Sequence, residues 1–510
     1  MLLFNFAPIQ SFKSIALIEK QYSAHKDSSF LIKKASEALL KSILKLEEKK
    51  LKKIKIFIGP GNNGADGLFL SNLLIKKGYK VDIYVPQKSM KSHKIIINTL
   101  KLDKYIAKKE KLSCNNHTLV IDALFGTGLN KKIIGIYAKI IDEINCSKAY
   151  VVSIDVPSGL NSETGLSIDK TVKSNLCCAL ISLKQGLFTK NGRDYWGRID
   201  SHPLIPTQND EDTYLFSLSP FKDYGINLFN FKNKILSKNL KFKKSHDTHK
   251  NSLGKSLIIG GCENFFGALL LSSHSALKTG SRYVEVISTK KHSELLPMRH
   301  PELITSYFDK STFSSKLQSY NNLLIGPGLG QSRWSVQIFE ILKSFLQSKK
   351  SSKHIVIMDA DALNLLAKKP FKCDRWILTP HPGEAARLLN VKVSTIQSNR
   401  FEAVNQLQKK FGGIIVLKGS GTIIKTPNKK ASICLHGNEG MATAGMGDCL
   451  SGIILSSIAL IKDKIEAVIF ATGLHSLSAD LIIKKNGTIG LLATDVIKKS
   501  AYLLNSNRES

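Results

Sequence analysis

The sequence lacks the features that mark secreted, disulfide-rich and membrane-spanning proteins. Its 510 residues contain eight cysteines without a CxxC pair or a regular spacing, so we expect reduced thiols and not a disulfide framework. No uninterrupted apolar run approaches the ~18 residues that cross a bilayer. The first residues, MLLFNFAPIQ, lack a basic region followed by a long apolar stretch. These absences predict a cytoplasmic protein that does not act in a membrane.

Arginine is scarce although the chain is strongly basic. The formal net charge is +34, yet only nine of the 74 basic residues are arginine. Lysine is spread through the whole sequence, whereas direct reading of bases favours arginine. We therefore predict no nucleic-acid partner. A basic nucleic-acid-binding protein stays as an alternative, because a high positive charge by itself attracts nucleic acid.

Length and patterning predict an α/β protein with two domains in tandem. Short apolar runs alternate with helical stretches along most of the chain, which indicates parallel sheets covered by helices. The pattern decays between about 205 and 248, so we place a linker at 216–244 between domains at 1–215 and 245–510. Ligands of such sheets bind beyond the carboxyl ends of the strands.

In the first domain, three predicted strand ends carry glycines and polar side chains. The stretches are GPGNNGADGL (59–68), which precedes a helix predicted at 68–78, DALFGTGLN (122–130) and DVPSGLNSETG (155–165). Backbone N–H groups at a helix start could bind a phosphate, and clustered side-chain oxygens could bind a hard cation. A turn whose Asn and Asp side chains cap a helix is the alternative. The oxygens available for a cation belong to Asn62, Asn63, Asp66, Asp122 and Ser158.

The most informative stretch of the second domain is GNEGMATAGMGDCLSG (437–452). Its glycine-rich turn feeds an apolar helix, whose N-terminal dipole favours an anion. Asp448 lies at the predicted helix start, where it could act as a base or cap the helix. A glycine-rich turn followed by Asp and a helix resembles the ribokinase-like fold, in which this turn stabilises a transferring phosphate.

The three stretches of the first domain, followed by LKQGL (183–187), resemble the NAD(P)H-hydrate epimerase family (the YjeF N-terminal family) in order and spacing. The resemblance implies a Rossmann-like αβα sandwich that interconverts the R and S forms of hydrated NAD(P)H. It implies a potassium ion held by Asn63, Asp122 and Ser158, and catalytic residues Asp155, which faces the nicotinamide ring, and Lys184. The residues implied to hold the dinucleotide phosphates are Asn62, Asn63, Gly64, Ala65, Asp66, Gly126, Thr127, Gly128, Leu129, Asn130, Lys131 and Lys132.

The sequence departs from this family at three positions of its later motifs, and its early helix reads KKAS (33–36) where the family has an ERAG-like motif. Ala65 stands where the family usually has Gly, which requires a negative φ at this residue. Asn175 and Cys177 stand where the family's stretch ADxTxTF has Asp and Thr. The sequence alone leaves open whether the epimerase domain is active.

The second domain resembles the ADP-dependent NAD(P)H-hydrate dehydratase family (the YjeF C-terminal family), which implies a ribokinase-like αβα domain. The motifs that carry the resemblance are HKNSLGKSLIIGG (249–261), FGALLLSSHSAL (266–277), RHPE (299–302), GPGLG (326–330), DADALN (359–364), TPHPGE (379–384), KGSGT (418–422) and MATAGMGD (441–448). The resemblance implies Asp448 as the catalytic base and Glu384 as a support for a divalent ion or for its own loop. His381 is implied to contact the hydrate, and a histidine satisfied within its loop is the alternative. The residues implied to hold the adenine nucleotide are Lys418, Gly419, Ser420, Gly421, Thr422 and Gly447, and those implied to line the hydrate site are Ala268, Gly328, His381 and Asp448.

Together the two resemblances imply a bifunctional repair enzyme that is also expected to form a homo-oligomer. Its first domain would epimerise hydrated NADH and NADPH, and its second would dehydrate the S form with ADP or ATP and magnesium. The alternative on the second fold is a small-molecule kinase, such as a hydroxymethylpyrimidine or thiazole kinase. The stretches TPHPGE and RHPE argue against that alternative.

Overall fold

The computed structural model describes most of the chain, in two compact units. The N-terminal unit comprises Ala7–Leu215 and Pro220–Lys232. The C-terminal unit comprises Asn233–Ser510 together with Met1–Phe6 and Phe216–Ser219. The described residues are 3–23, 29–47, 51–86, 91–107, 118–129, 131–167, 169–205, 213–228, 232–235, 253–348, 353–428 and 431–506.

The N-terminal unit alternates strands and helices. In chain order the elements of this part of the chain are β1 (Leu3–Gln10), α1 (Phe12–Ser23), α2 (Ser29–Ile43), β2 (Lys53–Ile58), α3 (Asn62–Lys76), β3 (Val81–Tyr84), α4 (Lys91–Thr99), β4 (Thr118–Ala123), α5 (Ile136–Cys146), β5 (Tyr150–Ile154), β6 (Ser174–Leu180), β7 (Leu183–Lys184), β8 (Trp196–His202), β9 (Thr213–Ser217) and β10 (Ile226–Asn227). Residues 3–6 of β1 and 216–217 of β9 belong to the C-terminal unit. Seven of the strands form one sheet in the order β10-β8-β6-β5-β4-β2-β3, with every neighbouring pair parallel. The inner strands are almost fully buried, which explains their near-continuous apolar sequences.

Helix α3 begins inside the glycine-rich motif, at Asn62, and not at residue 68 as the sequence suggested. The chain before it passes so close to β4 that a Cβ on Gly59 would lie 1.6 Å from Leu124 O. A Cβ on Gly67 would lie 2.6 Å from Ala123 Cβ. Glycine at these two positions therefore lets the helix start pack against the carboxyl end of the sheet.

The C-terminal unit has the same kind of alternation. After β11 (Lys232–Ile235) come β12 (Ser256–Ile259), α6 (Phe266–Lys278), β13 (Val284–Ser288), α7 (Lys290–Arg299), β14 (Ile304–Tyr307), α8 (Phe313–Gln318), β15 (Asn322–Ile325), α9 (Arg333–Gln347), β16 (Ile355–Met358), α10 (Asp361–Lys368), β17 (Trp376–Leu378), α11 (Pro382–Leu389), α12 (Val393–Ser398), α13 (Arg400–Phe411), β18 (Ile414–Leu417), β19 (Ile423–Lys425), β20 (Ala431–Cys434), α14 (Met446–Leu460), α15 (Lys464–Asn486) and α16 (Ala493–Ser506). Nine strands of its sheet follow one another in the order β20-β19-β18-β17-β16-β15-β12-β13-β14. The pairs of β19 with β18 and with β20 are antiparallel, and the pairs from β18 to β14 are parallel.

Helices α14 and α15 form the centre of the C-terminal core. Their apolar side chains belong to one buried cluster that also includes residues of β12, β13 and β15. Helix α15 is long and apolar enough to cross a membrane by length and composition, but 72% of its apolar window is buried inside the protein. Its hydrophobicity is therefore explained by its place in the core.

The predicted linker, 216–244, carries regular structure in its described part. Strands β10 and β11 and the last two residues of β9 lie within it, and Phe216–Ser219 belongs to the C-terminal unit. Leu435 N donates to Phe216 O at 3.0 Å. A strand segment of four residues has too little periodicity to be recognised from sequence.

The cysteines form no disulfide in the part of the chain that the structure describes. Cys146 is exposed, Cys262 is half-buried and the other five are buried. The remaining cysteine, Cys114, lies outside the described residues.

Candidate active sites

The first turn of α3 offers backbone N–H groups to a ligand. Its N-cap, Gly61, has an extended backbone and provides no side-chain hydrogen bond to the helix. The first N–H groups of a helix have no intrahelical acceptor and lie at the positive end of the dipole. Asn62 is exposed, Asn63 and Gly64 are buried, and Ala65 has the negative φ of a helical residue. The turn is therefore suited to an anion such as a phosphate.

Asp122, at the end of β4, is fully buried and accepts four hydrogen bonds. Ser158 Oγ and N donate to it at 2.6 and 3.0 Å. Ser153 Oγ donates at 2.8 Å and Leu124 N at 3.2 Å. Burial raises the pKa of Asp122, and the hydrogen bonds from Ser158, Ser153 and Leu124 oppose that rise. These bonds fix the carboxylate at the carboxyl end of the sheet.

The three predicted potassium ligands lie around the start of one loop. Ser158 Oγ, which bonds Asp122, also accepts from Phe125 N at 2.8 Å and lies 3.0 Å from Phe125 O. Asn63 Oδ1 lies 3.5 Å from the place of a Cβ on Gly126. The Nδ2 atom of Asn63 is buried without a hydrogen-bond partner among the described residues, which is unfavourable without a ligand. Amide, hydroxyl, carbonyl and carboxylate oxygens form a donor set that fits a hard cation.

Asp155 follows β5 in a strained conformation, with φ of 68°. A non-glycine residue rarely adopts such a φ, and the strain persists only where the surroundings impose it. Asp155 Oδ1 forms an ion pair with Lys184 Nζ and accepts from Leu180 N at 3.1 Å. Lys184 has a side chain only 1% exposed and also donates to Leu180 O at 2.6 Å. A strained, buried charge pair is the kind of feature that clusters at functional sites.

The charge of Asp155 acts on two further carboxyl groups. Burial first, and then the charges of Asp155 and Glu19, raise the pKa of Asp66 well above its usual value. Burial and Asp155 also raise the pKa of Glu19 on α1, while Lys184 opposes that rise. Both carboxyls hold a proton more readily than an exposed one. Sequence reasoning missed Glu19, because nothing in the amphipathic stretch IALIEKQYS distinguishes it from a solvated face.

The loop predicted to embrace the phosphates, 126–132, is described except for Asn130, which lies outside the described residues. Thr127 O accepts from Ser162 Oγ at 3.2 Å, which ties the loop to the chain after β5. Gly128, Lys131 and Lys132 are exposed, and Gly126, Thr127 and Leu129 are partly buried.

The two departures in β6 have different surroundings. Asn175 is exposed, and its Oδ1 accepts from Val151 N at 2.7 Å, which joins β6 to β5. Cys177 is buried, and its Sγ lies 3.5 Å from Asp155 O. Cys177 is thus the departure that contacts the candidate site.

In the C-terminal unit, α14 begins directly after Gly445, which has a left-handed backbone with φ of 88°. Asp448 lies in the first turn, and its carboxyl caps no backbone N–H among the described residues. Burial raises the pKa of Asp448 to about 7, with Asp359 adding to the rise and Lys418 opposing it. A carboxyl whose pKa is near neutral is well matched to general-base work.

Lys418 is the cation at the centre of this site. Its Nζ lies 2.7 Å from Asp359 Oδ1 and 3.9 Å from Glu384 Oε2. A Cβ on Gly447 would lie 3.2 Å from the same Nζ, which places Lys418 beside the first turn of α14. Burial lowers the pKa of Lys418, but Asp359 and Glu384 outweigh it and the net pKa is raised. A charged lysine is therefore held between three carboxyl groups, the third being Asp448.

Asp359 is a site residue that sequence reasoning left without a role, although it opens the motif DADALN. Its side chain is 2% exposed. It directly follows β16, and Ala360 after it has a φ of 47° and donates its N–H to Asp359 Oδ1 at 2.9 Å. The signal in the sequence was a carboxylate directly after a buried apolar strand.

Arg400, a residue that sequence reasoning missed, holds the KGSGT loop through its backbone carbonyls. Its side chain donates to the carbonyls of Leu417, Lys418 and Gly421 at 3.1, 3.2 and 3.0 Å, and to that of Ser420. Burial lowers the pKa of Arg400 to about 10, so it remains charged near neutral pH. Within the loop, Gly419 has φ of 135°, Gly421 has φ of 64°, and Thr422 Oγ1 donates to Gly419 O at 3.2 Å.

His381 is the N-cap of α11, and Glu384 completes a capping box with it. His381 Nδ1 accepts from Gly383 N at 3.0 Å, and Glu384 Oε2 accepts from His381 N at 2.8 Å. Half of the His381 side chain is exposed, with Nε2 3.4 Å from Glu384 Oε1. Burial, then Lys418 and Arg387, lower the pKa of His381, and burial raises that of Glu384 to about 7. The loop thus presents a neutral imidazole beside Lys418.

The remaining predicted hydrate-site residues lie at the ends of two adjacent strands. Strands β12 and β15 pair in parallel. Ala268 is in the first turn of α6, after β12. Gly328, after β15, has φ of 60°, and a Cβ there would lie 2.2 Å from Phe265 O. The backbone of the GPGLG loop therefore approaches the start of α6 closely.

Comparison with known proteins matches both units. The family described as YjeF-related protein N-terminus matches residues 28–186, and the family described as NAD(P)H-hydrate dehydratase matches residues 256–501. The bifunctional NAD(P)H-hydrate repair enzyme Nnr of Coxiella burnetii is 34% identical over 491 residues, with 93% of this chain and 94% of that protein covered. The enzyme of the same description from Escherichia coli K12 is 31% identical, with 88% and 84% covered. These relatives span both units, and the predicted fold class, a Rossmann-like domain followed by a ribokinase-like one, is confirmed.

A solved structure resembles the C-terminal unit. It is an ADP/ATP-dependent NAD(P)H-hydrate dehydratase from Bacillus subtilis, co-crystallised with ATP and Mg²⁺, which is 28% identical. The similarity covers 52% of this chain and 93% of that one, with a TM-score of 0.46.

Proposed function

The chain belongs to the family of bifunctional NAD(P)H-hydrate repair enzymes, and from this premise we propose how its two sites divide the work. The N-terminal unit epimerises the R and S forms of hydrated NADH and NADPH. The C-terminal unit dehydrates the S form with an adenine nucleotide and magnesium. The observation that carries the second assignment is Asp448, a half-buried carboxyl with a pKa of about 7 at the start of α14, where burial and Asp359 raise that pKa and Lys418 lowers it.

In the C-terminal site, the hydroxyl on ring carbon 6 of the hydrate is made into a leaving group. Asp448 takes its proton as the oxygen attacks the terminal phosphorus of ADP, so that an O–P bond forms and the bond to AMP breaks. Lys418 and the N–H groups of Gly445 to Gly447 stabilise the charge of the phosphoryl group in flight. The phosphate ester then loses phosphate from carbon 6 and a proton from carbon 5, which restores the ring double bond. The products are NAD(P)H, AMP and phosphate.

Other residues of this site position the two substrates. The loop Lys418 to Thr422, held by Arg400, contacts the nucleotide, and His381 contacts the hydrate with its exposed ring edge. Magnesium, when bound, neutralises phosphate charge, and Glu384 is the carboxylate suited to hold it or its hydration water. ADP is preferred over ATP in this proposal.

In the N-terminal site, the ion pair of Asp155 and Lys184 moves a proton at the carbon-6 oxygen. Lys184 protonates that oxygen, the C6–O bond breaks with electron density from the ring nitrogen, and water adds to the other face and returns the proton. The first turn of α3, with Asn62 to Asp66, and the loop from Gly126 to Lys132 hold the dinucleotide phosphates. Asn63, Asp122 and Ser158 would hold potassium, which supplies fixed positive charge next to these phosphates. Cys177 in place of Thr leaves Asp155 and Lys184 paired, which supports an active epimerase.

Absorbance at the NADH band tests the whole proposal. The full chain is incubated with a purified R/S mixture of hydrated NADH, ADP, magnesium and potassium, and recovery of NADH is followed to completion. We expect complete recovery from the wild type. With the Lys184→Gln variant only spontaneous epimerisation remains. We therefore expect its recovery of NADH at early times to stop near the S fraction.

Each half of the proposal can fail separately. If recovery of NADH by the wild type stops at the same fraction as recovery by the Lys184→Gln variant, the epimerase assignment is contradicted. No recovery with either ADP or ATP would contradict the dehydratase assignment and lead to a screen of small alcohols for kinase activity. The cytoplasmic location, the homo-oligomeric state and the absence of a nucleic-acid partner remain predictions from the sequence.

A further inference from the structure

The glycine-rich loop that precedes α14 is anchored by a carboxylate that the mechanism above does not use. Both oxygens of Asp480, on α15, lie 3.1 Å from Gly437 N. Its Oδ1 also accepts from Asn438 Nδ2 at 2.8 Å. The side chain of Asp480 is 14% exposed. A charge at so little exposure is stable only because it receives several donors.

His436 connects the same carboxylate to the segment Phe216–Ser219, which belongs to the C-terminal unit. Leu218 N donates to His436 Nε2 at 2.9 Å. Because Nε2 accepts, the neutral ring carries its proton on Nδ1, and Nδ1 faces Asp480 Oδ2 at 3.6 Å. Leu218 also packs on α15, since a Cβ on Gly473 would lie 2.9 Å from its Cγ. The anchor is therefore part of a buried polar chain that begins outside the region matching the dehydratase family.

The loop transmits its position to α14 through its own turns. Met441 N donates to Asn438 O at 3.2 Å, and Met446 N donates to Thr443 O at 3.5 Å. At the far end of the loop, His475, on the same helix as Asp480 and 4% exposed, hydrogen-bonds the Met446 backbone. Helix α15 thus holds both ends of the segment 437–446.

We propose that Asp480 is a positioning residue for dehydration: by fixing Gly437 and Asn438 it sets the loop that aims the first turn of α14 at the nucleotide phosphates. This inference rests on the dehydratase function proposed above. Donors that stabilise a transferring phosphoryl group act only if their geometry is set before the reaction. The three glycines of GNEGMATAG leave this loop little stiffness of its own, so its geometry depends on the anchor.

The substitution that tests this is Asp480→Asn in the full chain. The amide keeps the size of the carboxylate, but its NH₂ group must replace one of the two oxygens. At the place of Oδ2 it would face two other donors, the N–H of Gly437 and Nδ1–H of His436, so the anchor is strained even where the amide oxygen accepts. We expect the KM for Mg·ADP to rise at least tenfold and kcat for dehydration to fall at least tenfold. Epimerisation by the same chain should stay at the wild-type rate, because its residues lie in the other unit.

Asp463→Ala is the matched control. Asp463 caps the start of α15 by accepting from Ile465 N and Glu466 N, and alanine cannot accept these bonds, so the variant weakens the same helix without touching the loop. We expect it to lower Tm with both kinetic constants unchanged. Kinetic losses in Asp480→Asn that reappear in Asp463→Ala at an equal fall in Tm would overturn the proposal, as would wild-type constants in Asp480→Asn.

A titration of Mg·ADP by calorimetry separates this inference from the function on which it rests. If the wild type forms no NADH, the dehydratase assignment fails, and Asp480 is judged by nucleotide binding alone. At least tenfold weaker binding of Mg·ADP by Asp480→Asn would then support the anchor, and equal affinity for the two proteins would refute it.

Discussion

The substitution Asp448→Asn is expected to stabilise the protein while it removes dehydration. Asp448 is mostly buried, and its environment raises its pKa from 3.8 to about 7. Above that pH the folded protein must keep a charge in a place that disfavours it. Asparagine has nearly the same shape and never ionises, so the variant escapes this cost. The base is lost at the same time, which is the usual conflict between stability and activity.

The size and sign of the effect follow from linkage. For a carboxyl with a raised folded pKa, the unfolded chain loses its proton first, so stability falls as pH rises from about 4 to about 7. With the two pKa values above, the wild type carries a cost of about 4 kcal/mol at pH 8 and under about 2 kcal/mol at pH 5. The advantage of Asp448→Asn should therefore be largest at pH 8 and shrink steadily towards pH 4. These figures are upper bounds, because neighbouring groups relax.

Urea unfolding followed by tryptophan fluorescence measures this difference. In a Trp196→Phe background, the two remaining tryptophans, Trp334 and Trp376, both report on the C-terminal unit. The midpoint of Asp448→Asn should exceed that of its parent at pH 8, and the two should converge near pH 4. An Asp448→Asn protein that is less stable at pH 8, or an advantage that does not change with pH, would refute the reasoning. Undiminished turnover would refute the role of Asp448 as base.

Three other substitutions test single features of the structure. Lys184→Gln should lower the epimerisation rate at least about 100-fold, in the range lost with an acid–base group, and leave S-hydrate dehydration unchanged; a matching loss in both assays would mean general misfolding. Gly59→Ala places a Cβ 1.6 Å from a backbone oxygen and should destabilise the N-terminal unit by about 3 kcal/mol or more, whereas Gly61→Ala, with nothing within 4 Å, should leave its thermal midpoint nearly unchanged. Arg400→Met removes the donors of four carbonyls, so stability should fall by about 3 kcal/mol or more and the KM for ADP should rise; an unchanged KM would mean that the KGSGT loop does not need this support.

The strand ends and their polar residues could be predicted from sequence because the signals are local. A buried apolar run followed by Asp indicates a carboxylate at the edge of a parallel sheet. Asp122 and Asp359 both occur in this pattern. The start of α3 was placed too late because Asn, Gly and Asp have low helix propensity, yet packing of Gly59 and Gly67 against β4 draws them into the helix. Glu19 and Arg400 could not be found in this way, since their partners are more than a few residues away and only the fold brings them together.

The two sites solve one electrostatic problem in the same way. Each places a carboxylate at a strand end where the backbone has a positive φ. In the N-terminal site the positive φ belongs to Asp155 itself, and in the C-terminal site it belongs to Ala360, which follows Asp359. Each site pairs that carboxylate with a lysine of low exposure, 1% for the side chain of Lys184 and 18% for that of Lys418. A second carboxyl nearby, Asp66 or Asp448, has a pKa raised first by burial and then by the paired carboxylate. In each site the lysine offsets the charge of its paired carboxylate, and that carboxylate in turn helps the second carboxyl to retain a proton. In the C-terminal site Lys418 Nζ lies 2.7 Å from Asp359 Oδ1 and 3.9 Å from Glu384 Oε2, so the charge of the lysine acts most directly on Asp359.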